Sequence, residues 1–352
     1  MSDDIVKFLK YKTLRKFQVG LNTHVKFWYG DSYRYVMEGN WKKIAELITK
    51  SYLYKNVGYK FSNVLTLDDD TKEKVISKYG TYGEYRSQTN AEIVKEWKEL
   101  GADPDCIYPV LMVDSVGPNF PGITYNRVNR PGVSYAMTWP LNYHINESRK
   151  GLDDTKDFTN KIGKIVFRGS LSGPIKSLNL AGKTVKYGRY VIIEPWINSP
   201  WANLGISNIP KESRNHKFFL SNQEQIAKCT KPHMSISQQL DYKYILCLEG
   251  ADVSSGFGWA LSSNSVPIHP YPFNYYVWFH QDLVPYVHFI PIKPDGSDLE
   301  QAFIWCETHS KECEMIAKAG RDYITLLLDA DNLNAIKIKV VKLWKLKSEH
   351  FK

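Results

Sequence analysis

An α/β architecture is predicted for the second half of this chain, and three observations predict it. Between residues 160 and 330, short runs rich in Val, Ile, Tyr and Phe alternate with segments of helical spacing, the pattern of a parallel sheet with crossover helices. Two of those runs end abruptly in a glycine beside an ionisable residue: Ile165-Val166-Phe167 stops at Arg168-Gly169, and Tyr244-Ile245-Leu246 leads to Glu249-Gly250. Ligands of such sheets sit beyond the carboxyl ends of the strands, so both ends are expected to face one crevice. Third, 352 residues exceed one ordinary domain, and the polar bridge NESRKGLDDTKDFTNKIGK (146–164) suggests a first domain over 1–155 and a second over 160–330.

The elements follow in order. GNWKKIAELITKSYL (39–53) places Trp41, Ile44, Leu47 and Ile48 on one helical face. TNAEIVKEWKELGADPD (89–105) reads as a second helix, with Asn90 as N-cap and Gly101 as the C′ glycine before Pro104. YPVLMVDSVG (108–117) is a short apolar strand that stops at Asp114. In the second half, KIVFRGS (164–170), RYVIIEPW (189–196), YKYILCLEG (242–250), NSVPIHP (264–270) and YVHFIPIK (286–293) read as strands. Residues 296–324 read as mainly helical, capped by Ser297 or Asp298 and broken at Gly320.

Composition narrows the function classes. With 46 Lys+Arg against 37 Asp+Glu the net charge is +9, which favours anionic partners, but the charge is scattered apart from a Lys-rich segment after Asp331. Scattered lysine is a solvated surface, so no nucleic acid is expected; the Lys-rich segment 331–352 is expected to return to the first domain or to touch acidic lipid weakly. Five cysteines, an odd count without a CxxC pair, argue against a disulfide framework and a structural zinc, and for reduced thiols. The N-terminal stretch lacks an apolar core of signal-peptide length, and no run reaches the ~20 apolar residues of a membrane span. A cytoplasmic location is expected.

Two blocks carry a resemblance. One is Phe167-Arg168-Gly169-Ser170 closing a strand. The other is 241–306, DYKYILCLEGADVSSGFGWALSSNSVPIHPYPFNYYVWFHQDLVPYVHFIPIKPDGSDLEQAFIWC, whose order is strand, glycine-serine loop, helix and SVPI strand. Over roughly 160–325 the chain resembles glycosyltransferase family ninety, the lipopolysaccharide-modifying, capsule-associated-protein-like enzymes that include protein O-glucosyltransferases and β-xylosyltransferases. The resemblance implies a GT-B fold, two Rossmann-like domains facing across a cleft. It also implies a UDP-sugar donor held by the C-terminal domain, no bound metal or other cofactor, inversion at the anomeric carbon, and a base from the N-terminal domain. Xylose and glucose are the first expectations for the sugar, a glycan or glycoprotein for the acceptor, and a viral or microbial setting for the enzyme.

Such a transfer has two electrostatic needs. The departing diphosphate gains negative charge that cationic and backbone donors must neutralise, and a carboxylate must take the acceptor hydroxyl's proton. Arg168 suits the first need through its planar fork, with Gly169, Ser170 and Ser172 beside it. The loop Gly250, Ala251, Ser254, Ser255 and Gly256 precedes a helix, where unpaired N–H groups attract phosphate. Family members commonly carry an arginine where Gly256 stands; Lys176 and Arg189 are candidate substitutes. Asp114 is the candidate base and Asp31 the runner-up, although aspartate also caps turns. Trp139 and Tyr143 are candidate cleft residues able to stack on a sugar.

The acidic run LDDDTKEK (67–74) could be read as a metal site, but three Asp before a helical pattern also make a helix start. His269, His280 and His288 lack ligand spacing and read as structural. The alternative to an enzyme is a catalytically silent sugar- or nucleotide-binding protein on the same fold, motivated by the glycine at 256.

Overall fold

The computed structural model describes residues 95–101, 123–128, 137–173, 176–180, 183–210, 217–280 and 282–348. The chain divides into two compact units, one formed by 141–275 with 282–328, the other by 1–140, 276–281 and 329–352.

The first of these units holds the predicted sheet. Its five strands are β1 (Ile162–Ser170), β2 (Ala202–Asn208), β3 (Tyr242–Leu246), β4 (Val266–Pro270) and β5 (Ile290–Ile292). All neighbours pair in parallel, in the spatial order β5-β4-β3-β1-β2. Read from the other edge this is 2-1-3-4-5, a doubly wound Rossmann-like order that reverses direction between β1 and β3. One face of the sheet alternates Ile165, Phe167, Leu204, Ile206, Tyr244, Leu246, Val266, Ile268, Ile290 and Ile292 into a single core with Leu299, Cys306, Cys313, Ile316 and Ala317 from the helices Leu299–Thr308 and Ser310–Leu328. Val166, Ile245 and His269, of opposite parity, are buried as well, so the strands read as near-continuous apolar runs.

Two readings are corrected here. Residues 189–196, expected as a strand, form a helix, Arg189–Ile193, followed by a 3-10 turn, Glu194–Trp196. The β-branched run favours a strand locally, but the sheet edge beside β1 is occupied by β2, whose mix of Asn, Gly and Ser hid it in the sequence. Ile192 and Ile193 are buried on the core from a helix instead. The second correction concerns 296–324, where the helix breaks at His309 rather than at Gly320. Gly320 lies inside the second helix because a Cβ there would meet the carbonyl oxygens of His288 and Leu261 at 3.1 and 3.2 Å. An antiparallel hairpin, Lys176–Leu180 with Lys183–Tyr187, stands between β1 and Arg189 and had no expectation attached to it.

The polar bridge 146–164 is tied into the sheet unit. Lys161 Nζ and Asp154 Oδ2 form a buried ion pair at 2.8 Å, and Lys161 also donates to the carbonyl of Leu240. Asp154 accepts from the backbone N–H of Asn264 at 2.9 Å, and Arg321 donates to the carbonyls of Asp154 and Leu152 at 3.0 and 2.9 Å. Burial pulls the Lys161 ammonium below its ordinary value, with Asp154 opposing that shift. Four cysteines, 229, 247, 306 and 313, are free thiols in the interior.

In the second unit residues 95–99 are helical and Gly101 ends the turn at φ +76°, as expected for a C′ glycine. Trp97 and Trp139 meet edge to face at 5.4 Å. The helix Ala330–Ser348 joins them through Lys337, which pairs with Glu96 and stands 5.9 Å over the Trp139 ring. No helix among the described residues is long and apolar enough to cross a membrane.

Candidate functional site

A doubly wound sheet offers a crevice where its strand order reverses, because the connections leaving the two central strands diverge to opposite faces. Here that point lies beyond Ser170 of β1 and Leu246 of β3, and one cation occupies it. Arg189 Nη1 donates to the carbonyl of Ser170 at 2.9 Å and contacts the hydroxyls of Ser170 and Ser172 at 3.1 and 2.9 Å. Its Nη2 donates to the carbonyl of Leu248 at 3.2 Å. The guanidinium thus bridges the ends of both strands. All these acceptors are neutral, no carboxylate lies at ion-pair distance among the described residues, and Nε is enclosed without a partner. Burial pulls this guanidinium down to about 10, with the charge of Asp252 offsetting part of the shift, so it stays protonated at neutral pH. The guanidinium also stands 5.9 Å over the Phe167 ring, and an enclosed cation bonded to neutral oxygens among the described residues favours an anion beside it.

The backbone is arranged around this arginine. A Cβ on Gly250 would fall 2.5 Å from Ser172 Oγ and 2.8 Å from Arg189 Nη2, and one on Gly169 would fall 3.5 Å from Arg189 Nη1. The β1–β2 register shifts between Gly169 and Ser170, and a bulge of this kind re-aims the side chains that follow it. Ser170 and Ser172 touch each other at 3.2 Å, so the two hydroxyls and the guanidinium form one cluster.

Arg168, expected at the diphosphate, is placed differently. Successive strand residues face opposite sides, and the Gly169 side is the one that sees Arg189. Arg168 therefore turns toward β2. It donates to the carbonyls of Pro232, Phe167 and Asn203 at 3.1, 2.9 and 2.8 Å and to Asn203 Oδ1 at 2.8 Å. Four of its five N–H groups are thereby used on neutral structural oxygens. Burial lowers its pKa, with Tyr242 opposing.

The loop after β3 closes the other wall. Glu249 is buried and accepts from the backbone N–H groups of Asn274 and Tyr275 at 3.0 and 3.2 Å and from Asn274 Nδ2 at 2.8 Å, which fastens the segment after β4 to the loop after β3. Ala251 and Ser255 are exposed on the loop, while Ser254 occupies the N-cap position of the helix Ser255–Leu261 but makes no cap bond with its hydroxyl. That helix is seated tightly: a Cβ on Gly258 would fall 2.4 Å from Ser148 Oγ. Gly256 is different, since a Cβ there meets nothing nearer than Trp259 at 3.5 Å.

The remaining candidates do not join this cluster. Trp139 is 1 % exposed, its ring occupied by Trp97 and Lys337, so it is a core residue rather than a sugar platform. Tyr143 is 52 % exposed on the helix Asn142–Arg149, beside His144. Asp114, Asp31 and the acidic run at 67–74 lie outside the described residues, as does the Lys176 side chain. His269 is enclosed between Phe257 and Phe273 at 4.5 and 5.0 Å, with Nδ1 2.7 Å from the carbonyl of Pro270, and burial holds it at about 4. His288 Nδ1 accepts from the N–H of Val284 at 3.0 Å, and its ring lies against Tyr323. His280 lies beside Tyr276 and Phe279 in the other unit. Among the described residues no three His, Cys, Asp or Glu side chains converge as a metal site. Sequence reasoning gave Arg189 as a substitute for the arginine missing at 256 and read Val191-Ile192-Ile193 as a strand; the glycine at 188, which takes φ 124° at the N-cap position, is the residue type that precedes this helix.

Comparison with known proteins bears on the same region. The profile described as Glycosyl transferase family 90 matches residues 203–344. The chain is 34% identical over 93 residues to O-glucosyltransferase LpsA of Dichelobacter nodosus, covering 26% of this chain and 29% of that protein. It is 31% identical over 144 residues to Uncharacterized protein 027R of Frog virus 3, covering 40% of this chain and 12% of that protein. Protein O-glucosyltransferase 2 of Danio rerio is 29% identical over 116 residues, covering 33% and 23%. The chain therefore spans less than a third of each of these relatives. The match begins inside β2 and runs past β3 and its glycine-serine loop, so the similarity to glycosyltransferase family 90 lies in the sheet unit and in the helix that follows it.

Proposed function

We propose that this chain is an inverting, metal-independent glycosyltransferase that moves a sugar from a UDP-sugar to a hydroxyl of a glycan or glycoprotein. The sheet unit is read as the donor-binding half of a GT-B pair. The family match over 203–344 and the names of two relatives support the transferase reading and make glucose the first donor to test, with xylose second.

The observation that carries the reading is Arg189 at the β1–β3 crevice, hydrogen-bonded to neutral oxygens among the described residues and flanked by Ser170, Ser172 and a glycine whose Cβ position is closed. As the glycosidic bond breaks, the β-phosphate oxygen takes the bonding electron pair and the diphosphate gains a charge. A fixed guanidinium and hydroxyls stabilise that charge more than the ground state, without the reorganisation water would need. Arg189 is therefore assigned the diphosphate, and Arg168 the bracing of β1 against β2. Inversion requires a carboxylate on the opposite face of the sugar to accept the proton of the attacking hydroxyl. Asp114 is proposed for that role, with Asp31 second.

The test is thermal-shift titration with UDP, GDP, UDP-glucose and UDP-xylose, first in EDTA and then in manganese, followed by UDP release with and without acceptor. Stabilisation by UDP in EDTA is expected; stabilisation only with manganese would overturn the metal-independent mechanism. Gly256 favours one second reading, a silent binding protein, which predicts UDP binding without turnover of any donor.

A further inference from the structure

We infer that Asn274 reads the base of the donor nucleotide, accepting an N–H of the ring at its Oδ1, and that Glu249 is the residue that aims it. This rests on the donor-site reading above.

The side-chain amide of Asn274 has a defined direction. Its backbone N–H and its Nδ2 donate to the two oxygens of the buried Glu249 carboxylate at 3.0 and 2.8 Å. A carboxylate only accepts, so Nδ2 faces Glu249 and Oδ1 faces away from it. Asn274 is 5 % exposed, and no described residue donates to its Oδ1. This oxygen is not one of the enclosed unpartnered atoms, so it keeps an opening through which a ligand N–H can approach.

The placement fits a nucleoside. Glu249 directly follows Leu248, whose carbonyl holds Arg189 Nη2, and Asn274 lies beyond the end of β4, the strand next to β3. Neighbouring strands stand about 4.8 Å apart, so the segment after β4 is roughly one or two strand spacings from the diphosphate cation. That separation is the reach of a ribose and its base. Uracil presents N3–H as a donor, whereas cytosine presents a lone pair at the same ring atom, so an acceptor aimed there separates the two pyrimidines.

The test measures affinity for UDP and CDP by calorimetry in the wild type, in Asn274→Ala and in the double variant Glu249→Gln/Asn274→Asp. The double variant exchanges donor and acceptor across the pair while leaving an Asp oxygen in the Oδ1 position. Wild type is expected to favour UDP by about tenfold or more. Asn274→Ala is expected to lose about tenfold for UDP and little for CDP, and the double variant to recover the preference. Equal losses for both nucleotides, or an unchanged preference in Asn274→Ala, would overturn the role. Failure of the donor-site reading looks different: Arg189→Gln would then leave affinity for both diphosphates unchanged.

Discussion

Gly250→Ala is the perturbation that asks most of the Arg189 geometry. Gly250 is not among the described glycines with positive φ, so alanine meets no backbone penalty and the effect is steric alone. The added Cβ falls 2.5 Å from Ser172 Oγ, 2.8 Å from Arg189 Nη2 and 3.0 Å from its Cζ, where ordinary contact begins at 3.4 Å. The guanidinium must retreat by about 0.6 Å, which would stretch its 3.2 Å bond to the Leu248 carbonyl past hydrogen-bonding range. Overpacking of this kind costs about 1–3 kcal/mol, or roughly 2–12 °C in Tm for a domain of this size. Losing the aim of one charge-assisted contact weakens a diphosphate by about tenfold. Gly256→Ala is the control, with its nearest atom at 3.5 Å and a helix position where alanine gains up to about 1 kcal/mol. Scanning fluorimetry and UDP calorimetry on both variants read the outcome. A folded Gly250→Ala protein that binds UDP like the wild type would refute the argument that this arginine is the receptor.

Three further expectations follow from single observations. His269 is held at about 4 by burial, so the unfolded chain binds its proton first; its contribution is complete above pH ~6.5, falls as pH drops toward 4, and amounts to about 3 kcal/mol. Urea midpoints at pH 7 and 5 should therefore differ less in His269→Gln than in the wild type, and equal differences would contradict this. Asp154→Ala strands the Lys161 ammonium and should cost about 3–5 kcal/mol in urea unfolding, more than Lys161→Met, whose stranded Asp154 carboxylate keeps the N–H groups of Lys156 and Asn264. Gly256→Arg has room at Cβ, so it should keep Tm within a few degrees and bind UDP about tenfold more tightly; unchanged affinity would show that position 256 does not reach the diphosphate.

How much of this was readable in the sequence depends on whether the signal is local. The five buried strands are mostly written in their own residues, because a strand covered on both faces needs an unbroken apolar run, as in Tyr244-Ile245-Leu246. β2 escaped notice because Asn203 and Gly205 serve neighbours: one accepts from Arg168, and the other leaves space for the Lys231 side chain. The crevice was legible from Gly169 and Gly250, but the identity of its cation was not. Strand parity turns Arg168 to the wrong face, and Arg189 arrives from a helix whose β-branched composition disguises it. Trp139 shows the reverse error, a residue type suited to sugar stacking that serves a core.

If the β1–β3 crevice holds a diphosphate through Arg189, that cation and not Arg168 sets the affinity for UDP. Calorimetry of UDP and of uridine against Arg189→Gln and Arg168→Gln tests it most directly. Arg189→Gln is expected to lose about 10- to 100-fold in affinity for UDP and little for uridine, while folded Arg168→Gln keeps UDP affinity close to wild type. Full UDP affinity in Arg189→Gln, with loss in Arg168→Gln, would contradict it.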